Sequence, residues 1–334
     1  MKLKLRHIVA VFFTALLSIG SVGTAYAEDI KFSLEWLIGG RHVGFFVALE
    51  KGYYRDEGLN VAISRGYGSG DTVKRVATGS ADFGIADTTT VLSARANNAT
   101  PVVMVATFFN GGPEAILALK SSGIKDPKDL SGKKVGGGST SASLKLLQAL
   151  ASKTGLKDYK TVPMASDQIY PALLTKQVDA ITGFTDNAAV IASRAQQNGD
   201  DVVVLPYSDY GIQNYGSAII VKSDRVAKKD PAIARFLNAS MKGIAWALAN
   251  PKEAVAIMKK HAPITDEAVA LRTWEIDRDL IVTPETKKHG LGSVQQDRME
   301  STYQMAKTYL GLEKEIDLKA AYTADFLPNP PILP

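Results

Sequence analysis

An α/β fold in two lobes is what this chain predicts, on three observations. Short runs of β-forming residues alternate with helical stretches, the order expected of mostly parallel sheets covered by helices. That order occurs twice, at a spacing near 100 residues. At 334 residues and 46% hydrophobic content, the chain supplies a sizeable core and is long enough for two lobes.

The first cycle reads as a strand over 30–34, a turn at Gly39-Gly40 and a helix over 43–50. Gly52 closes that helix, because glycine accepts the left-handed dihedrals found at helix C-termini. A strand over 60–64, a helix over 71–78 and a strand over 83–86 complete the cycle. The second reads as a strand at Lys134-Val135, a turn at Gly136-Gly137-Gly138 and a helix over about 141–154. A strand over 160–163, a helix over 168–176 and a strand over 179–182 follow. The two helix-to-strand junctions superimpose, Thr78-Gly79-Ser80-Ala81-Asp82-Phe83 on Thr175-Lys176-Gln177-Val178-Asp179-Ala180. One plan is used for two lobes; the spacing is too long for a tandem array.

The remainder is helical. Asp230-Pro231 and Asn250-Pro251 each set a capping residue before a proline at the first helical position. Ser293 is expected to cap a last helix running to Leu310 and stopping at Gly311, and the Pro-rich end over 328–334 reads as extended. Strand-like runs over 115–120 and 217–222 are spaced as paired crossings between lobes. One lobe is therefore expected over 28–119 and 221–334, the other over 120–220.

Residues 1–27 have the layout of a cleaved secretory signal peptide. Lys2, Lys4 and Arg6 precede an apolar run over 8–20, and Ala25-Tyr26-Ala27 stands before Glu28. The run is shorter than the roughly 20 apolar residues a bilayer span needs. With no cysteine in the chain, there is neither a disulfide framework nor a lipid-accepting Cys behind the cleavage point. The expected product is a free exported protein, periplasmic in a bacterium. Removing 1–27 lowers the formal charge from +5 to +2, so nucleic acid and anionic membranes are not indicated as partners.

Several motifs carry a family resemblance: Leu34-Glu35-Trp36, His42, Gly44-Phe45-Phe46-Val47-Ala48, Glu50-Lys51-Gly52-Tyr53-Tyr54 and Glu57-Gly58-Leu59. With Gly79-Ser80-Ala81-Asp82-Phe83-Gly84 and Val178-Asp179-Ala180, they resemble the substrate-binding proteins of ABC importers for nitrate, sulfonates, taurine and thiamine-pyrimidine precursors. Trp36 paired with His42 resembles the pyrimidine-precursor branch more than the others. The resemblance covers the chain beyond residue 27. It implies a two-lobed periplasmic binding protein fold, type II-like, with two hinge crossings and closure on a small-molecule ligand. It also implies an ABC permease and ATPase as partners, no cofactor, and a monomer.

In open α/β sheets ligands sit beyond the carboxyl ends of strands, near helix N-termini. That rule selects the candidate residues. Trp36 ends the first strand and has a wide face suited to stacking on a ring; the alternative is that it fills a lobe edge. His42 stands at a helix start, able to bond a ligand heteroatom or simply to cap. Gly68, Ser69 and Asp71 belong to a strand-to-helix turn over 66–71 whose backbone N–H groups form a nest for a carboxylate, phosphate or polar ring atom. Ser139 and Thr140 occupy the matching turn of the second lobe. Asp87 and Phe184 fall five residues after Asp82 and Asp179, hence at strand ends, and Asp186 lies two beyond. Acidic groups there suit a ligand with amino or N–H donors, although both aspartates are also candidate helix caps. Asn110, before the first crossing, and Tyr215, in a tyrosine cluster with Tyr207 and Tyr210, complete the set.

Catalytic constellations are absent from the sequence. Beyond residue 27 the histidines are at 42, 261 and 289, without metal spacing. Neither a G-x-S-x-G elbow nor a phosphate-binding P-loop occurs. The leading expectation is a binding module for a small heteroaromatic molecule. Inward-pointing Arg41 and Arg65 would instead favour a sulfonate, an aromatic carboxylate or nitrate. An enzyme similar to the eukaryotic thiamine-pyrimidine synthase is the remote alternative, since that synthase carries a cysteine-rich motif and this chain has no cysteine. Trp246, within an apolar helix, is expected to be a core residue.

Overall fold

The computed structural model describes residues 27–139 and 141–334. The expected signal segment up to Tyr26, and Thr140, lie outside the described residues. Among the described residues there are ten strands: β1 (Glu28–Ser33), β2 (Leu59–Ser64), β3 (Phe83–Asp87), β4 (Val102–Thr107), β5 (Glu114–Leu119), β6 (Lys134–Gly138), β7 (Lys160–Met164), β8 (Ala180–Phe184), β9 (Val202–Pro206) and β10 (Ser217–Lys222). They form two five-stranded sheets, ordered β2-β1-β3-β10-β4 and β7-β6-β8-β5-β9. In each, three parallel strands adjoin one antiparallel strand, β10 in the first sheet and β5 in the second. This is the expected two-lobed α/β architecture.

Helices cover both sheets. The first lobe has α1 (Val43–Glu50), α2 (Tyr53–Asp56), α3 (Ser69–Thr78) and α4 (Thr88–Asn98). The second has α5 (Ala142–Thr154), α6 (Ile169–Leu174) and α7 (Asn187–Ala195). The chain then returns to the first lobe with α8 (Ser223–Ala227), α9 (Pro231–Ala249), α10 (Pro251–His261), α11 (Glu267–Ile281), α12 (Pro284–His289) and α13 (Gln296–Tyr309). Among the described residues no helix is long and apolar enough to cross a membrane.

The expected crossings need correction. The runs over 115–120 and 217–222 do not connect the lobes. The first is β5, an inner strand of the second sheet, and the second is β10, an inner strand of the first. Both are almost wholly buried, as a strand flanked on two edges and two faces must be. The chain passes between sheets over 108–113 and returns over 207–216. Residues 114–119 therefore belong with the second lobe and 217–220 with the first.

Two local readings also change. Gly136-Gly137-Gly138 is strand, not turn: it pairs in register with Val162, Pro163 and Met164 of β7. A Cβ on Gly137 would collide with Thr182 Oγ1, so the strand can carry only glycine there without a shift. Ser293 does not cap the last helix. Gln295 occupies the N-cap, while Ser293 supplies its carbonyl to the Thr107 hydroxyl.

The repeat is visible atom by atom. Asp82 Oδ2 accepts from the Lys31 N–H and Asp179 Oδ2 from the Lys134 N–H, both at 2.8 Å. The cores differ. Beside the first sheet, Phe32, Phe45, Phe83, Phe236 and Tyr54 pack ring on ring, Phe83 on Phe236 at 4.0 Å. Trp274 lies fully buried in the same cluster, its indole N–H donating to the Ala247 carbonyl. Trp246, expected in the core, is only half-buried and lies under the Lys51 ammonium, 4.2 Å from its ring. The core face of α9 is instead formed by residues such as Phe236, Leu237 and Ile244.

Candidate functional site

The site is built on a difference between equivalent connections. From β6 to α5 the chain needs only residues 139–141, but from β1 to α1 it uses 34–42, including a short 3-10 turn, Gly40–His42. That longer loop carries Trp36 and Arg41 over the second lobe. Trp36, half-buried, packs against the apolar cluster around Tyr170 and Leu173.

Beneath it lies a narrow cleft with an open mouth. Glu35, Trp36, Arg41, Gly68 and Ser69 line it from the first lobe. Gly138, Ser141–Ser143, Ile169, Tyr170, Thr182, Gly183, Phe184 and Asn187 line it from the second. Aromatic side chains from both lobes thus face the same space.

An ion-pair network closes one wall. Arg41 Nη2 stands 2.5 Å from Asp186 Oδ1 of the second lobe, and Nη1 is 3.4 Å from Glu35 Oε1. The guanidinium lies over the Phe184 ring at 4.9 Å. All three ionic groups are buried. Burial alone would neutralise Glu35, but His42 and Arg41 outweigh it and hold its carboxyl below the ordinary range. Burial likewise disfavours the Arg41 charge, yet Asp186 and Glu35 raise its pKa further. His42 Nδ1 accepts from the Gly39 N–H, which leaves Nε2 to donate to Glu35 at 3.2 Å. Behind the network Asp277 of α11 is fully buried with neither carboxylate oxygen partnered among the described residues, and burial drives its pKa well up. Tyr170 is pushed up to about 12, chiefly by burial.

A second acid pair sits at the hinge. Asp87 ends β3 of the first lobe and Glu114 starts β5 of the second, and their buried side chains hydrogen-bond each other. Burial and the Asp87 charge push Glu114 well above the usual carboxylate range, and burial raises Asp87 as well, so the pair shares a proton held mainly on Glu114.

The structure thus sorts the residues singled out from sequence. Trp36, Gly68, Ser69 and Phe184 come together on the cleft wall, and Asp186 joins through Arg41. The others are elsewhere. The His42 ring is fully buried against Glu35. Asp71 pairs with Arg75 on the outer side of α3. Asp87 caps α4, accepting from the Thr90 N–H. Asn110 accepts from Arg298 and Thr283 within the first crossing. The Tyr215 hydroxyl donates to Glu285 and accepts from Gln295, and Ser139 is exposed. Thr140 lies outside the described residues. Arg41 points into the cleft, whereas Arg65 lies over the Tyr67 ring. Thr182, Tyr170, Asn187 and Glu35 were not foreseen as lining residues.

The profile of the NMT1/THI5-like family matches residues 40–254. The chain belongs to that family. A formylaminopyrimidine-binding protein of Halalkalibacterium halodurans is 25% identical over 69% of this chain and 70% of its own length. A protein of Legionella pneumophila named as a 4-amino-5-hydroxymethyl-2-methylpyrimidine phosphate synthase is 25% identical over 89% of this chain and 92% of its own. Among solved structures, the alkanesulfonate-binding protein SsuA of Xanthomonas axonopodis pv. citri, bound to MOPS, superimposes with a TM-score of 0.67 at 15% identity. It covers 88% of this chain and 98% of its own, which shows the shared periplasmic binding protein fold.

Proposed function

We propose that this NMT1/THI5-like protein is the exported solute-binding component of an ABC importer, capturing a small uncharged heteroaromatic molecule of aminopyrimidine type between its lobes. A membrane permease and its ATPase then receive the ligand from the closed form. The observation that carries the ligand class is the state of Arg41, the cation that lines the cleft. Asp186 and Glu35 already occupy it, so an anionic ligand would have to displace a buried carboxylate and leave it unpaired, which costs several kcal/mol. A planar neutral ring needs only the aromatic walls supplied by Trp36, Tyr170 and Phe184. The pyrimidine-binding relative points the same way.

One feature favours a small anion instead: the first turns of α3 and α5, from opposite lobes, both border the cleft, and helix N-termini attract negative charge. A synthase reading has the Legionella relative behind it. Against it stand the absence of cysteine from the chain and the burial of His42 away from the cleft.

Trp36 tests the reading. Aromatic pairing contributes roughly 0.5–1.5 kcal/mol beyond area burial, and lost apolar contact adds to it. Trp36→Ala is expected to weaken binding of 4-amino-2-methylpyrimidines at least tenfold by calorimetry. Unchanged affinity, or wild-type protein that binds sulfonates or nitrate in preference, would remove the heteroaromatic reading. Recovery of a chemically altered ligand would move it to the synthases.

A further inference from the structure

We propose that the floor of the cleft, between the first turns of α3 and α5, is a subsite for one uncharged oxygen acceptor carried by the ligand's ring, held by the hydroxyls of Thr182 and Ser69. This rests on the heteroaromatic reading and specifies it. Thr182 is 2% exposed, lines the cleft, and its hydroxyl has no hydrogen-bond partner among the described residues. An unsatisfied buried hydroxyl costs about 1–3 kcal/mol, a cost that a ligand oxygen would relieve. Space for the hydroxyl is kept open by Gly137, whose Cβ would collide with it. In the superposition of the lobes Thr182 falls where the first lobe has Ile85, so the general plan of the sheet does not require a polar group there.

Ser69 approaches from the other lobe. Its oxygen accepts from the Asp87 N–H at 2.9 Å, and its own hydrogen has no acceptor among the described residues. Both hydroxyls can therefore donate, and α3 and α5 add unpaired N–H groups of their first turns. These donors border one cleft, which selects an acceptor. Charge decides which kind. Arg41, the cation among the cleft-lining residues, is already paired with Glu35 and Asp186, so no free positive charge is left there for an anion and the acceptor is a neutral carbonyl or aldehyde oxygen. Because one hydroxyl comes from each lobe, the oxygen is fully bonded only when the cleft is shut.

Two probes that differ in one atom test this: 4-amino-2-methylpyrimidine-5-carbaldehyde and its 5-vinyl isostere. Calorimetry on wild-type protein should show the aldehyde bound about tenfold more tightly, the worth of one good hydrogen bond. Thr182→Val, close in shape, should bring that ratio to about one without weakening the vinyl compound. Thr182→Ser should restore it, and Ser69→Ala should lower it. If Thr182→Val does not fold, as judged by its melting transition, the Ser and Ser69 variants decide alone. A ratio near one in wild-type protein, or a ratio that survives in folded Thr182→Val or in Ser69→Ala, overturns the subsite and leaves the heteroaromatic reading standing. Failure of wild-type protein to bind either pyrimidine overturns both. Ethanesulfonate bound more tightly than either pyrimidine does so too, by showing the floor to be an anion site.

Discussion

The two lobes share a strand plan, an acidic anchor at each helix-to-strand junction and the same place for the antiparallel strand, yet they divide the labour of folding and binding unequally. The first lobe holds the aromatic core and the six helices α8–α13. Both cores lie on either side of their sheet, but that of the second lobe is smaller and mainly aliphatic. In the cleft the first lobe contributes Trp36 and Arg41 from its long β1–α1 connection, while the second contributes strand and helix positions such as Thr182 and Phe184. A duplicated scaffold thus carries its differences in the β1–α1 loop and at single strand-end positions, where a substitution leaves the sheet intact.

The largest effect expected from this asymmetry is on stability. Trp274→Ala empties a fully buried site in the aromatic cluster and should cost about 3–5 kcal/mol, read by urea unfolding. Trp246→Ala removes a half-buried ring beneath Lys51 and should cost under about 1 kcal/mol. A Trp246 loss equal to that of Trp274 would mean that α9 carries more of the core than its buried face indicates.

The hinge pair predicts a pH dependence between these extremes. Glu114 holds its proton more tightly when folded than when unfolded, so the unfolded chain binds fewer protons above its ordinary pKa near 4.3. Stability from this group is therefore fully present below about pH 4.3 and falls as pH rises toward the raised folded value, at up to about 1.4 kcal/mol per pH unit. Glu114→Gln keeps a hydrogen-bond donor toward Asp87 and removes the proton exchange. Its melting temperature should exceed that of wild-type protein increasingly from pH 6 to pH 8, and equal slopes for the two proteins over that span would show that the pair is not linked to folding.

How much of this was legible in sequence follows from what each feature depends on. The alternation of β runs and helices, and the junction match that pairs Asp82 with Asp179, are local patterns and translated directly into the two sheets. The crossings are misplaced in the sequence reading because apolar runs such as 115–119 are equally consistent with a connection and with a doubly flanked strand; only pairing decides. Trp36, Ser69 and Phe184 were reached by the rule that strand ends face ligands. The direction of Arg41 was not, because it is set by Asp186, 145 residues away in the chain. Thr182 had a trace in sequence, a hydroxyl residue opposite Ile85 in the repeat, but its missing partner is a property of packing.

A last pair of substitutions isolates backbone conformation from everything else in the comparison. Gly79 and Lys176 occupy equivalent junction positions and share a left-handed backbone, with φ of +77° and +58°. A Cβ on Gly79 would meet nothing within 4 Å, so only the conformational cost bears on a substitution there. Gly79→Ala should therefore destabilise by about 1–2 kcal/mol. Lys176→Gly makes the reverse change in the second lobe: it relieves that strain but frees the unfolded chain, for a net gain of about 0.5–1 kcal/mol. Opposite signs in paired denaturant titrations are the expected result. A loss of stability on Lys176→Gly would mean that the lysine side chain offsets its own backbone strain through contacts that Gly79 lacks, and that the two junctions share geometry without sharing energetics.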